Sequence, residues 1–235
     1  QDFQLAFEWT LKAAEQGDAD AQRNLGIAFS NGEGVDQDDS VAFEWFLQAA
    51  EQGDAGAQFY LGIAYRDGVG VEQNDSLALE WYVKAAEQGD VEAQSRLAFA
   101  YWDGQGYEID LRAALKWGMK AAEQGDVDCQ VRLGYAYRNG NGVEQDYRRA
   151  TELWALAAEL GDAQAQRSLG IAYRDGDGVP HDYARALELW RKAAEQQDVQ
   201  AQHCLGMAYY YGQGVEIDFY KAFEWWIKGA EQGDP

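Results

Sequence analysis

Apolar residues recur along this chain at spacings of three and four, as in Ala21, Leu25, Ala28 and Phe29, then Ala42, Trp45, Ala49 and Ala50. That period marks one buried face of a helix. Each apolar stretch is short and ends at glycine. Gly-Asp recurs at 17-18, 53-54, 89-90, 125-126 and 161-162, with Gln197-Asp198 in phase and Gly233-Asp234 closing the series. A second series, Gly-x-Gly, falls at 32/34, 68/70, 104/106, 140/142, 176/178 and 212/214. Both keep a strict 36-residue step, so the chain is a repeat array.

Each period predicts two helices. The first follows Asp18, a side chain that accepts hydrogen bonds from the free N–H groups of a helix start, and runs to about Asn31. Gly32 and Gly34 then end it, since glycine reaches positive φ without a Cβ clash. The second starts near Asp38, with Asp110, Asp146, Asp182 and Asp218 in the same phase. Alanines at the close approaches let helices cross tightly, and large aromatics fill the space between repeats. One such pair cannot bury its apolar face alone, whereas stacked pairs can. The expected fold is all-α: a right-handed superhelical α-solenoid of stacked antiparallel helix pairs, with a concave and a convex side. Residues 1–235 read as a single solenoid of about six repeats, comprising a partial repeat 1–17, then 18–53, 54–89, 90–125, 126–161, 162–197 and 198–235.

The string Ala-x-x-Trp-x-x-x-Ala-Ala-Glu-Gln-Gly-Asp-x-x-Ala-Gln-x-x-Leu-Gly closely resembles the Sel1-like repeat. One clean copy starts at Ala78 and carries Trp81, Ala85, Ala86, Glu87, Gln88, Gly89, Asp90, Ala93, Gln94 and Leu97. The resemblance covers essentially the whole chain. It implies kinship with tetratricopeptide repeats and an adaptor role that assembles other proteins, in bacterial envelope processes, host interaction or signalling. Departures are local. Ala98 replaces a glycine, Tyr107 a loop valine and Gln197 a glycine, while Trp154 and Trp190 sit one residue later than Trp117. Gly118 stands where other copies have Phe46, Tyr82, Trp154, Trp190 and Trp226, so either a pocket opens there or Trp102 moves in to fill it. One branch of the family carries paired cysteines in each repeat and is linked to penicillin binding; this chain has only Cys129 and Cys204. The two read as small, unbridged hydrophobes.

The formal net charge of -22 argues against nucleic acid and against anionic membrane surfaces. Much of it is capping chemistry, because nineteen of the 41 acids lie at repeat positions. At 47% hydrophobic and 14% aromatic, the chain is too apolar for disorder. It has no run long enough to span a bilayer, and its first residues show no basic stretch followed by an apolar one, so no signal peptide is expected in them. Its start at Gln1 and its end on Gly233-Asp234-Pro235 suggest a processed protein or a piece of a longer array. Cytoplasm and bacterial periplasm or envelope both stay open as compartments.

Repeat-invariant positions build the scaffold and leave variable ones free for recognition. By analogy with tetratricopeptide repeats, the first helices line the concave face. The candidate contact residues are Phe59, Arg66, Phe99, Trp102, Tyr135, Arg138, Arg167, Arg174, His203, Met207, Tyr210 and Tyr211, with Ile63, Val131 and Ile171 in the same phases. Aromatics, methionine and arginine are the types enriched at interface hot spots. Arg66, Arg138 and Arg174 share one phase, suiting a protein or peptide with acidic side chains or a C-terminal carboxylate. Alternatively these arginines pair with neighbouring acids such as Asp67 and Asp175. No catalytic set is expected: histidine occurs only as His181 and His203, and no zinc, calcium or dinucleotide spacing is present. No cofactor or metal is implied. The expectation is a non-catalytic scaffold. The alternatives are an envelope enzyme or inhibitor of peptidoglycan or β-lactam chemistry, suggested by the resemblance alone, and a self-associating spacer.

Overall fold

The computed structural model describes residues 2–104 and 108–232, with side chains from residue 5 onward. Gly106, Tyr107, Gly233 and Asp234 of the repeat series lie outside the described residues. Among the described residues every regular element is a helix. The first compact unit, residues 1–124, holds α1 (Asp2–Glu15), α2 (Ala19–Asn31), α3 (Asp39–Glu51), α4 (Ala55–Asp67), α5 (Asp75–Glu87), α6 (Val91–Asp103) and α7 (Leu111–Glu123). The second, residues 125–235, holds α8 (Val127–Asn139), α9 (Tyr147–Glu159), α10 (Ala163–Asp175), α11 (Tyr183–Glu195), α12 (Val199–Tyr211) and α13 (Phe219–Ala230). Within each unit every helix packs on the next in chain order, giving an all-α solenoid fold.

The boundaries follow from the caps. Asp18 Oδ1 accepts the Ala21 N–H at 2.8 Å, and Asp54, Asp90, Asp126, Asp162 and Asp198 repeat that bond at the other first helices. Asn74 takes the cap role at α5 that aspartate fills at the other second helices, its Oδ1 accepting from Leu77 N–H at 3.1 Å. Each first helix ends on a left-handed glycine such as Gly32, φ 72°. Among the described residues the turn after the second helix is left-handed as well, at Gly17, Gly53, Gly89, Gly125 and Gly161. There Gln197, φ 68°, stands where the other copies have glycine, and it is the non-glycine residue with positive φ among the described residues.

The core repeats with the sequence. Leu25, Leu61, Leu97, Leu133 and Leu205 are almost completely buried, as are Ala49, Ala57, Ala85, Ala93 and Ala121. Ala42, Ala49 and Ala50 are buried as expected, but the deep aromatic of this helix is the residue after Trp45: Phe46 is buried while Trp45 is half-buried. Phe46, Tyr82, Trp154, Trp190 and Trp226 each lie against a glycine of the preceding helix, Gly26, Gly62, Gly134, Gly170 and Gly206 respectively. A Cβ on any of these glycines would overlap the ring. Glycine therefore recurs here in mid-helix, where it costs about 1 kcal/mol against alanine, because only a bare backbone admits the ring. The third pair inverts the arrangement: buried Ala98 replaces the glycine, Gly118 replaces the ring, and Trp102 covers Gly118. Of the two expectations for Gly118, the indole of Trp102 moving in is the one observed.

A polar clamp joins successive second helices. Gln22, Gln58, Gln94, Gln166 and Gln202 are buried on first helices and donate Nε2–H to the carbonyls of Ala14, Ala50, Ala86, Ala158 and Ala194. Their Oε1 atoms accept from the Nε2 of Gln52, Gln88, Gln124, Gln196 and Gln232, at 2.7 to 3.1 Å. A buried amide so satisfied orients its neighbours, whereas one stripped of a partner would cost about 1–3 kcal/mol. Leu160 stands at the donor position of the fourth pair and carries no amide. Cys129 is buried and Cys204 half-buried, both as free thiols; burial pushes the Cys204 thiol up from its ordinary range.

Candidate functional site

Residues 23, 27 and 30 of the first repeat, and their equivalents 36 residues apart, share one face of the first helices because they are separated by four and three positions. The structure attaches many of them to the second-helix aromatics. In the first unit Phe59 lies 5.8 Å from the Tyr82 ring centroid. Arg66 makes a bidentate pair with the next residue, donating Nε–H and Nη2–H to the two oxygens of Asp67 at 2.7 Å each. These bonds hold the Asp67 carboxyl below its usual range and raise the Arg66 guanidinium. Phe99 meets Trp102 edge-on at 5.6 Å, and Trp102 is buried over Gly118. Trp102 is thus part of the core as well as of the candidate list.

In the second unit Tyr135 packs 5.2 Å from Trp154, and its hydroxyl shares a 2.5 Å hydrogen bond with Ser168 Oγ. Trp154, Trp190 and Trp226 donate their indole N–H to the carbonyls of Val131, Arg167 and His203, which pins each ring beside this face. Arg167 is mostly covered. Its Nε–H donates to Asp198 Oδ2 at 3.1 Å and its Nη1–H to Gln200, tying α10 to the cap of α12. Arg23 does the same with Asp54 between α2 and α4. Arg174 repeats the Arg66 arrangement: it pairs with Asp175 at 2.6 and 2.8 Å, lowers that carboxyl and sits 6.0 Å from the Trp190 ring. Arg138 differs. Asn139 follows it where aspartate follows Arg66 and Arg174, and its half-buried charge contributes to the low Asp175 carboxyl. His203, Tyr210 and Tyr211 are exposed and Met207 is half-buried. Tyr210 packs edge-on against Tyr211 and Phe219 and tilted against Trp226, at 5.0 to 5.6 Å, so the end of α12 presents an aromatic cluster.

Internal pairing therefore accounts for three of the four candidate arginines. The glutamine clamp and the glycine–ring contacts went unforeseen, although an amide recurring at every buried Gln22 phase was a legible signal. Among the described residues no cluster of histidine, cysteine and carboxylate side chains is arranged to hold a metal ion. No helix of the described residues is long and apolar enough to cross a membrane.

The Sel1 repeat model matches residues 1–18, 19–54, 55–90, 91–126, 127–162, 163–198 and 199–234. The chain is similar to a protective antigen of uropathogenic Escherichia coli described as displaying an SLR fold, at 39% identity and a TM-score of 0.95. That similarity covers 98% of this chain and 50% of the antigen, so the chain spans about half the antigen's length. It is also similar to a Sel1 repeat protein from Oxalobacter formigenes, at 33% identity and a TM-score of 0.79, covering 99% of this chain and 93% of that one. No curated protein matches the chain at a significant level. Sel1 repeat proteins are generally protein-interaction scaffolds, and their fold is typically non-catalytic. With matched repeats tiling it from end to end, the chain belongs to the Sel1 repeat family.

Proposed function

We propose that this chain is a non-catalytic scaffold that holds a protein or peptide on the exposed face of its first helices. One observation carries the reading. The positions constant from repeat to repeat are consumed by caps, glutamine clamps and glycine–ring contacts, while the variable 23, 27 and 30 phases carry aromatics, methionine and arginine. Such side chains bring large contact area and planar hydrogen-bond donors to an interface. The pairs Arg66–Asp67 and Arg174–Asp175 are electrically neutral in sum. In this reading Arg138 is the cation that meets an acidic side chain or a terminal carboxylate, with Tyr135, Met207, Tyr210 and Tyr211 as apolar contacts.

The test is site-specific photo-cross-linking from Phe59, Tyr135, Met207 and Tyr211, compared with the exposed second-helix positions Glu44, Glu80 and Glu152. Partner adducts should form from the first set, and Arg138→Glu should weaken their capture with helicity unchanged. Equal adducts from both sets would overturn this face as the contact surface.

A further inference from the structure

In three repeats the 30-phase residue of the first helix covers the second helix at one point. Arg174 lies over the Trp190 ring, Tyr210 packs 5.6 Å from Trp226, and Trp102 covers Gly118, so each caps the site of its own repeat's second-helix aromatic. In the first complete repeat that residue is Ser30, whose hydroxymethyl group cannot reach across the Phe46 ring. A cavity of about 200 Å³ lies there, open on one side. Phe43, Phe46, Tyr60 and Ile63 form its apolar wall, with Ser30 and Asp39 supplying polar groups. Phe46 and Tyr60 of this wall stack on each other at 4.8 Å with 13° between their planes.

We infer that this cavity is an anchor pocket for an aromatic side chain of a partner protein, carried next to a lysine or arginine. Size sets the ring: an apolar cavity of about 150 Å³ already accommodates benzene. Aromatic pairing with Phe43 and Phe46 adds to the burial of the ring. The open side sets the source. Small-molecule sites enclose about 70–90% of their ligand, whereas here the backbone of a bound segment would close the mouth. Charge sets the neighbour, because Asp39 is the acidic residue that lines the pocket. The scaffold reading supplies the protein as the source of the ring; the pocket itself stands on the geometry of Ser30 and Phe46.

The experiment is a methyl NMR titration of the full chain with two isosteric probes, phenethylamine and 3-phenylpropionate. Phenethylamine is expected to shift the Ile63 and Val69 methyls and to bind about three-fold more tightly than the anion, the range of an exposed ion pair. Asp39→Asn should bring the two affinities together. Ser30→Trp, which places the third repeat's 30-phase residue over the cavity, should abolish both responses while leaving the methyls of residues 125–235 unmoved; Ser30→Tyr is a milder filler should tryptophan disturb the fold. Unshifted Ile63 and Val69 methyls, or shifts that survive both fillers, would overturn the pocket. Equal affinity of the two probes in the unmodified chain would overturn the basic neighbour. None of these outcomes depends on the cross-linking result, so the pocket and the scaffold reading can fail separately.

Discussion

Gly118 of α7 lies beneath the indole of Trp102 of α6, so close that a Cβ on the glycine would stand 2.7 Å from Trp102 Cη2. The same volume is filled elsewhere by a second-helix ring meeting a first-helix glycine. The third repeat exchanges which helix contributes the bulk. Buried Ala98 is compatible with this because no ring arrives opposite it.

This exchange predicts strong coupling. Gly118→Trp alone should destabilise the chain by about 3 kcal/mol, the upper end of the usual overpacking cost, since a second indole is forced into a filled core. The triple variant Ala98→Gly, Trp102→Arg, Gly118→Trp rebuilds the pattern of the fifth repeat and should recover most of that loss. Urea denaturation of the single and triple variants measures the coupling. Additive losses would show that the exchange is not reciprocal.

Leu160 occupies the donor position of the glutamine clamp and is largely exposed. Leu160→Gln places an amide where Gln52, Gln88, Gln124, Gln196 and Gln232 each reach a buried glutamine. The expected gain is about 1 kcal/mol, the net worth of one hydrogen bond. It should appear as a higher urea midpoint with an unchanged slope. In the opposite direction, Gln58→Leu removes the acceptor of Gln88 and the donor to Ala50, and should cost about 1–3 kcal/mol.

Gln197 holds a left-handed conformation, φ 68°, at a turn where the other copies have glycine. For a residue with a Cβ this costs about 1 kcal/mol or more. Gln197→Gly should raise the thermal midpoint, whereas Gly161→Gln, the reverse change one repeat earlier at φ 95°, should lower it. Differential scanning calorimetry on the two variants tests both signs together.

Asp67 and Asp175 titrate below the usual carboxylate range because Arg66 and Arg174 hydrogen-bond to them. A carboxyl depressed in the folded state contributes stability that is fully present above its unfolded value and is lost as pH falls through the folded one. Stability should therefore decline on acidification through and below the ordinary aspartate range. Arg66→Ala should return the Asp67 midpoint to that range in a carboxyl carbon NMR titration and flatten the corresponding part of the acid limb. Both groups are partly exposed, so added salt should weaken the effect. An Asp67 midpoint unmoved by Arg66→Ala would reject the assignment.

Periodicity and capping chemistry carry most of the fold. A 36-residue step, aspartate or asparagine at the helix starts and glycine at all but one of the turns that follow specify a helix pair, because these are local requirements of the backbone and need no distant neighbour. The family was legible for the same reason: its signature consists of those local residues. The choice of residue types at the 23, 27 and 30 phases was legible too, but their engagement was not. Whether Arg66 faces a ligand or Asp67, and whether Trp102 faces solvent or Gly118, depends on side-chain torsions and on helices brought together only by folding. Packing alone decided that the vacancy lies at Ser30 rather than at Gly118. Trp102 swings over Gly118 and fills the space that a ring occupies elsewhere, whereas Ser30 is too short to cover the Phe46 ring of its own repeat.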